Sequence, residues 1–170
     1  MGNKTSYFST DPILDCVTVI NAEHLEIHEG DHYNYCAYAL NQASGAEIDF
    51  FLTVGTEKAA HFTFQASSSE GATLDLYEGA TGASGGTPII PRNNNRISAN
   101  SSTVTMLKDP STITSLGVNA SGYLAGGGRT AGFTSRDKEF ILKPGNTYFL
   151  RITSLATSND ISWCADWYEH

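Results

Sequence analysis

The stretch AAHFTFQA, residues 59–66, alternates small or aromatic apolar side chains with polar ones at every second position from Ala60 onward. Successive side chains of a β-strand point to opposite faces, so this pattern predicts a strand with one buried face. The stretch NTYFLRITSL, residues 146–155, repeats the pattern, because Tyr148, Leu150 and Ile152 oppose Arg151. Two such strands indicate a sheet that covers a core on one side.

Further strands are predicted wherever short apolar stretches are separated by turn-forming residues. They fall at 46–54, 72–78, 102–107, 137–142 and 159–168. The Pro-Gly pair of KPGN, residues 143–146, predicts an antiparallel hairpin between 137–142 and 146–153. No amphipathic helical segment of ten or more residues is evident. We therefore predict an all-β, two-sheet antiparallel β-sandwich, jelly-roll-like, as a single domain over residues 20–170, preceded by an extended N-terminal arm over residues 1–19.

Two long stretches fit no strand. Residues 88–101, PIIPRNNNRISANS, carry two arginines around an asparagine triplet, and residues 117–136 form a glycine-rich excursion. Long loops in a compact domain are usually functional or disordered. We predict that both stretches contact a neighbouring molecule, with Arg92 and Arg96 facing acidic groups.

Composition excludes several classes of protein. The 170 residues carry a net charge of −8, which argues against nucleic acid as a partner, since that binding requires clustered cations. Neither a membrane-spanning apolar run nor a secretion signal is evident, so we predict a protein that is made in the cytoplasm and does not enter the membrane. The three cysteines, Cys16, Cys36 and Cys164, form no CxxC pair and are predicted to be free, buried thiols.

Histidines and acids concentrate in AEHLEIHEGDHYNYCAYAL, residues 22–40. Gly30 interrupts a helix here and no cap is apparent, so a strand is the preferred interpretation. A strand would place His24, Glu26 and His28 on one side, where they could bind a metal ion with His61 or His170 as a further ligand. Alternatively, the three residues form a polar strand face or a subunit interface. Proton-transfer catalysis is the third alternative.

Other signals of catalysis or ligand binding are weak. The chain contains neither a G-x-S-x-G motif nor a P-loop, and we predict no enzymatic activity and no cofactor. Glu47 and Asp49 could form a glycosidase-like carboxylate pair or simply a solvated sheet face. Trp163, Trp167 and Tyr168 could stack on sugar rings, although such residues more often fill a core.

Several motifs occur in a fixed order along most of the chain. They are EHLEIH at 23–28, AHFTF at 60–64, YEGAT at 77–81, ILKPGNTYFLR at 141–151 and WYEH at 167–170. In this order they resemble a widespread set of small tailed-bacteriophage proteins, the head-decoration or cement type. The resemblance extends from about residue 20 to residue 170. The asparagine triplet of PRNNNR, residues 91–96, departs from the N-R-N-like loop of that set.

The resemblance implies a structural function on the virion. A decoration protein sits on the capsid surface, binds the major capsid protein, often as a homotrimer, and grips the shell with its N-terminal arm. We would then expect Val17, Val19 and Ile20, at the end of the arm, and the arginines of residues 88–101 to lie at a capsid or subunit interface. The alternative is a virion-surface module that binds a carbohydrate or a host receptor.

Overall fold

The computed structural model describes residues 9–11, 16–18, 22–128, 130–133 and 139–170 of the chain. Within these residues two antiparallel sheets pack face to face, which confirms the prediction of an all-β, two-sheet sandwich. The jelly-roll connectivity and the arm at residues 1–19 stay predictions. So does the domain boundary at residue 20.

One sheet is centred on β13 and is called here the β13 sheet. Its strands are β4 (Glu47–Thr53), β6 (Ala72–Glu78), β7 (Thr87–Ile89), β9 (Thr105–Lys108), β10 (Val118–Ala125) and β13 (Thr147–Ser154). Their spatial order is β10-β6-β13-β4-β9-β7. The glycine-rich excursion therefore contains a strand, β10, which pairs with β6 along its whole length.

The second sheet is centred on β14 and is called the β14 sheet. Its strands are β3 (His32–Gln42), β5 (Ala60–Ser68), β8 (Arg92–Asn93), β11 (Thr130–Phe133), β12 (Phe140–Leu142) and β14 (Asn159–Glu169). Their order is β11-β5-β14-β3-β8, and β12 also pairs with β5. Two short strands, β1 (Ser9–Asp11) and β2 (Cys16–Thr18), pair with each other, and the helix α1 spans Ala22–Glu29.

The core lies between the two sheets and follows the predicted alternation. Phe62 and Phe64 of β5 are 0% and 4% exposed, and Leu150 and Ile152 of β13 are 2% and 0% exposed. Burying one such side chain stabilises the fold by about 1.5–3 kcal/mol. The alternation therefore identified the inner faces correctly on both sheets.

The hairpin predicted around residues 143–146 is wrong. β12 pairs with β5 in the β14 sheet, whereas β13 pairs with β4 and β6 in the β13 sheet. The turn hydrogen bonds to the end of β4 instead, since Gly145 N donates to Gly55 O at 2.9 Å and Val54 N donates to Asn146 O at 3.0 Å. The Pro-Gly turn therefore carries the chain from one sheet to the other.

The strand predicted for the first histidines is also wrong, because residues 22–29 form α1. Gly30, with φ +82°, ends the helix in a Schellman motif, in which Gly30 N donates to Ile27 O and Asp31 N to Glu26 O. A Cβ added at Gly30 would overlap the side chain of Ser98, and the positive φ also favours glycine at this position. The glycine that seemed to exclude a helix is the residue that terminates it.

The asparagine-rich loop completes this helix end. The last carbonyl groups of a helix have no partner within the helix. Here Asn95 Nδ2 donates to His28 O at 3.1 Å, Asn100 Nδ2 to Glu29 O at 3.3 Å, and Asn93 Nδ2 to Gly30 O at 2.7 Å. Part of the stretch that fitted no strand therefore has an internal structural task.

Candidate functional site: a histidine row on one sheet face

Ring side chains line up across three neighbouring strands of the β14 sheet, on the face opposite the core. The strand register pairs Tyr168 of β14 with His32 of β3 on one side and with His61 of β5 on the other. The Tyr168 ring stacks on His61 with 4.4 Å between ring centroids and on His32 with 6.3 Å. His170 stacks on His61 at 4.8 Å. We call these four residues the histidine row.

His32 forms the buried end of the histidine row and is 1% exposed. Its Nε2 atom lies 3.5 Å from Glu23 Oε1 of α1 and 3.3 Å from Asp166 Oδ1 of β14. Its Nδ1 atom faces the side-chain amide nitrogen of Asn94, whose oxygen accepts a hydrogen bond from Asn34. An amide nitrogen only donates, so in this arrangement Nδ1 accepts and Nε2 carries the proton towards the two carboxylates.

His61 forms a second polar group further along the row. Its Nδ1 atom lies 2.6 Å from Glu139 Oε1. The Tyr168 hydroxyl lies 3.0 Å from the same nitrogen and donates to Glu139 Oε1 at 3.3 Å. The side chains of His61 and Glu139 are only 13% and 17% exposed. These polar atoms therefore satisfy one another, which is typical of a structural cluster.

The three residues predicted to bind a metal ion do not face one point. His24 and His28 are exposed on one side of α1, with 4.8 Å between their ring centroids. Glu26 lies on the buried side of the helix and is 4% exposed. Residues two apart on a helix point in nearly opposite directions, so the helix separates the carboxylate from both imidazoles. The spare ligands, His61 and His170, meet each other in the histidine row.

A disulfide joins Cys36 of β3 to Cys164 of β14, on the same sheet face as the histidine row. The two residues are direct cross-strand partners with Cα atoms 4.0 Å apart. The prediction of free thiols is therefore wrong for both. Their separation of 128 residues gave no sequence signal, because only the strand register brings them together. For Cys16 the prediction is untested.

An open groove of about 550 Å³ lies beside the disulfide. Tyr38, Gln65 and Ser162 are among the residues that line it, and Tyr38 is 71% exposed. The lining residues include no carboxylate and no histidine. General acid–base catalysis needs such groups to converge on a bound substrate. The groove therefore suits contact with a surface better than chemistry.

The aromatic residues predicted as possible sugar contacts belong to the interior. Trp163 and Trp167 are 3% and 0% exposed and pack in the core between the sheets. Tyr168 is 9% exposed, and both faces of its ring are taken by His32 and His61. A sugar ring stacks only on an accessible aromatic face, so these three residues do not form a carbohydrate site. Trp163 and Trp167 instead follow the alternative prediction, in which such residues fill a core.

The residues predicted to lie at an interface are partly described. Arg92 of β8 and Arg96 are exposed and, with three asparagines, line a cleft of about 360 Å³. Arg96 Nη1 donates to Asn93 O at 3.3 Å. Val17 belongs to β2, whereas Val19 and Ile20 lie outside the described residues. Both arginines are exposed, and their contact with a partner stays a prediction.

The paired carboxylates of β4 have a cation between them. Arg151 of β13 donates from Nε and Nη2 to Asp49 at 2.8 Å each, and from Nη1 to Glu47 at 2.8 Å. The hydrogen bond to Asp49 is the largest cause that raises the pKa of Arg151 above its usual range. Both carboxylates serve one guanidinium on an outer sheet face, so nothing here supports a glycosidase pair.

One acid in the chain terminus is fully buried. Glu169 is 1% exposed, and its carboxylate accepts hydrogen bonds from Ser102, Thr103, Val104 and Trp167. Burial, followed by the nearby charges of Glu169 and Asp31, raises the pKa of Tyr33 from 10.0 to about 12. The Glu169 carboxylate anchors the segment before β9 and has no lone pair directed at solvent or substrate.

Sequence reasoning did not predict the histidine row, although part of its signal is present in the sequence. Alternation in β5 and β14 already places His61 on an outer face, and Asp166 with Tyr168 on another. Those faces coincide only if the strands are neighbours in one sheet. The order of strands in a sheet cannot be read from the sequence of a single strand. Glu23 lies on a helix that was predicted as a strand. Asn94 lies in the stretch 88–101, which was predicted to contact a neighbouring molecule.

Comparisons with known proteins identify no family, so the chain is identified by its fold class. No protein-family model, curated protein or solved structure matches the chain. Among the described residues, no helix is both long and apolar enough to span a membrane. The chain is thus defined as an all-β sandwich with a histidine row and a disulfide on one sheet face.

Proposed function

We propose that this protein is a non-catalytic structural protein of a virion, which decorates an icosahedral capsid and stabilises it. The proposal is motivated by the order of motifs along the chain, which resembles that of head-decoration proteins. Its partners would be the major capsid protein and two further copies of the chain in a homotrimer, and it would lie on the capsid surface after synthesis in the host cytoplasm.

The observation that carries the proposal is that the four most exposed large aliphatic side chains of the described residues lie in two stretches. Ile90 and Ile97, in residues 88–101, are 85% and 95% exposed, and Val118 and Leu124, in residues 117–136, are 75% and 69% exposed. These are the two stretches for which the sequence predicts contact with a neighbour. Covering one such isoleucine would contribute up to about 1.5–3 kcal/mol to binding.

Decoration makes use of such modest contacts. Each copy that docks on a symmetric shell makes several of them at once, and every additional attachment forms at high effective concentration. Arg92 and Arg96, exposed beside Ile90 and Ile97, would add contacts with acidic groups on the shell. Among the described residues, the polar side chains of each cluster contact one another, and this supports a binding function over catalysis.

The alternative of a carbohydrate-binding module has lost its main support, because its predicted ligand aromatics are buried. Trp167 in particular is 0% exposed. A Trp167→Ala variant would therefore lose the fold together with any binding. We propose no second function.

The first test is the copy number of the protein in purified virions of its source phage, measured by quantitative mass spectrometry. We expect a fixed stoichiometric ratio to the major capsid protein. A few copies per particle would favour a tail or receptor-binding component, and no copies would overturn the proposal.

The second test addresses the contact surface. Purified variants are added to capsids that lack the protein, and co-sedimentation is measured. Ile90→Ser with Ile97→Ser should weaken attachment, whereas Ile141→Ser, at a residue that is 61% exposed on β12, should not. Equal binding by both variants would show that residues 88–101 do not contact the shell.

A further inference from the structure

We propose that Glu23, His32 and Asp166 bind one divalent transition-metal ion, with Zn²⁺ as the preferred ion. The three side chains come from the first turn of α1, the start of β3 and the final part of β14. One ligand atom from each lies within 4.8 Å of the other two. This site differs from the His24–Glu26–His28 set that the sequence suggested, and it does not depend on the proposed virion function.

Two of the three separations between ligand atoms suit a tetrahedral ion, and the third, between Glu23 and Asp166, is within 4.8 Å. Two ligands of one such ion, each about 2.1 Å from the metal, stand about 3.4 Å apart. His32 Nε2 lies 3.5 Å from Glu23 Oε1 and 3.3 Å from Asp166 Oδ1. An ion could therefore enter between these atoms with little movement of the backbone.

The ligand types indicate the class of metal. One imidazole with two carboxylates is a mixed nitrogen and oxygen set, which suits Zn²⁺ and similar transition ions. Mg²⁺ prefers an octahedral shell of oxygen atoms and retains its waters, so it should bind here poorly. The charge is complementary as well, because a divalent cation offsets the two carboxylates.

The surroundings of His32 provide the second shell. A histidine that binds metal through Nε2 carries its proton on Nδ1 and needs an acceptor there. The Asn94 side chain faces Nδ1, and its oxygen accepts from Asn34. Rotating the amides of Asn94 and Asn34 together by half a turn would present the Asn94 oxygen to Nδ1 and keep the hydrogen bond between the two asparagines. The side chain of His32 is 2% exposed, so its ring orientation is already fixed before any ion binds.

The consequence is structural. Glu23 lies in the first turn of α1, while His32 and Asp166 belong to adjacent strands of the β14 sheet. A bound ion would clamp the start of α1 to the sandwich.

The test is isothermal titration of the full chain with Zn²⁺, and then with Mg²⁺, after treatment with a chelator. We expect one Zn²⁺ per chain and a much weaker response to Mg²⁺. Asp166→Asn and Glu23→Gln keep the side-chain shapes but should weaken Zn²⁺ binding at least about tenfold. Far-UV circular dichroism checks that both variants are folded.

The matched control is the double variant His24→Ala/His28→Ala, since two exposed histidines four residues apart on a helix can also chelate zinc. It should retain the affinity of the unaltered chain. Zn²⁺ should also raise the melting temperature of the unaltered chain and of this control more than that of Glu23→Gln.

Three results would overturn the proposal. The first is no stoichiometric zinc binding by the unaltered chain, and the second is unchanged affinity in both Asp166→Asn and Glu23→Gln. The third is loss of binding in the His24→Ala/His28→Ala control, which would move the site to the exposed face of α1.

Discussion

The buried carboxylate of Glu169 should hold the two sheets together, and replacing it with alanine tests how strongly. Glu169 belongs to β14, whereas its hydrogen-bond donors at Thr103 and Val104 lie directly before β9 of the other sheet. Trp167 Nε1 donates to Glu169 Oε1 at 3.0 Å, and the backbone N–H groups of Thr103 and Val104 donate at 2.9 and 3.3 Å.

The magnitude follows from these donors. Glu169→Ala removes the acceptor of Thr103 N and of Thr103 Oγ1, whereas Val104 N and Trp167 Nε1 keep Ser102 Oγ as a second acceptor at 3.0 and 3.3 Å. A buried donor that loses its acceptor costs about 1–3 kcal/mol, and water recovers part of this loss at the partly buried Thr103, so we expect the free energy of unfolding to fall by about 2–4 kcal/mol. That is a substantial part of the roughly 5–15 kcal/mol typical of a folded domain.

Urea unfolding, followed by tryptophan fluorescence and circular dichroism, measures this loss by linear extrapolation. Glu169→Gln keeps one acceptor oxygen and should lose only about 1–2 kcal/mol. The control is Glu47→Ala, whose carboxylate is 45% exposed and pairs with Arg151 at the surface, with an expected loss of at most about 1 kcal/mol. A loss for Glu169→Ala no larger than that of the control would refute the anchoring role.

Three further predictions concern the disulfide, Tyr33 and the end of α1. Alkylation of the denatured, unreduced chain should leave Cys36 and Cys164 unmodified, and modification of either cysteine would contradict the disulfide. Because the bond closes a loop with a sequence separation of 128 residues, reducing it should lower the free energy of unfolding by about 5 kcal/mol. Folding raises the pKa of Tyr33 from 10.0 to about 12, so the unfolded chain loses the hydroxyl proton at a lower pH than the folded chain. The free energy of unfolding should therefore fall by about 1.4 kcal/mol per pH unit between these two pKa values. Tyr33→Phe should remove that part of the loss in pH-dependent urea unfolding, and identical profiles would count against it. Gly30→Ala should destabilise the chain more than Gly45→Ala, since both glycines have positive φ but only Gly30 lacks space for a Cβ; equal melting temperatures would show that the contact is relieved.

Part of the fold was readable because it depends on local alternation. Phe62 and Phe64 on β5 and Leu150 and Ile152 on β13 were assigned to the core from their two-residue period alone. The same logic failed for residues 22–29, where helix and strand patterns were both available. There a local Schellman motif at Gly30 ends the helix, and the asparagine side chains at residues 93, 95 and 100, from a distant part of the chain, stabilise its last carbonyl groups.

The sequence by itself determined the all-β class, half of the strands among the described residues, the buried faces of β5 and β13 and the absence of recognisable catalytic motifs. Each of these follows from the order of side chains along one strand. Only the tertiary structure decided what meets across strands: the Cys36–Cys164 disulfide, the histidine row and the grouping of Glu23 with His32 and Asp166. Those contacts depend on strand order and register, which arise from the packing of the whole sandwich and leave no mark within a single strand.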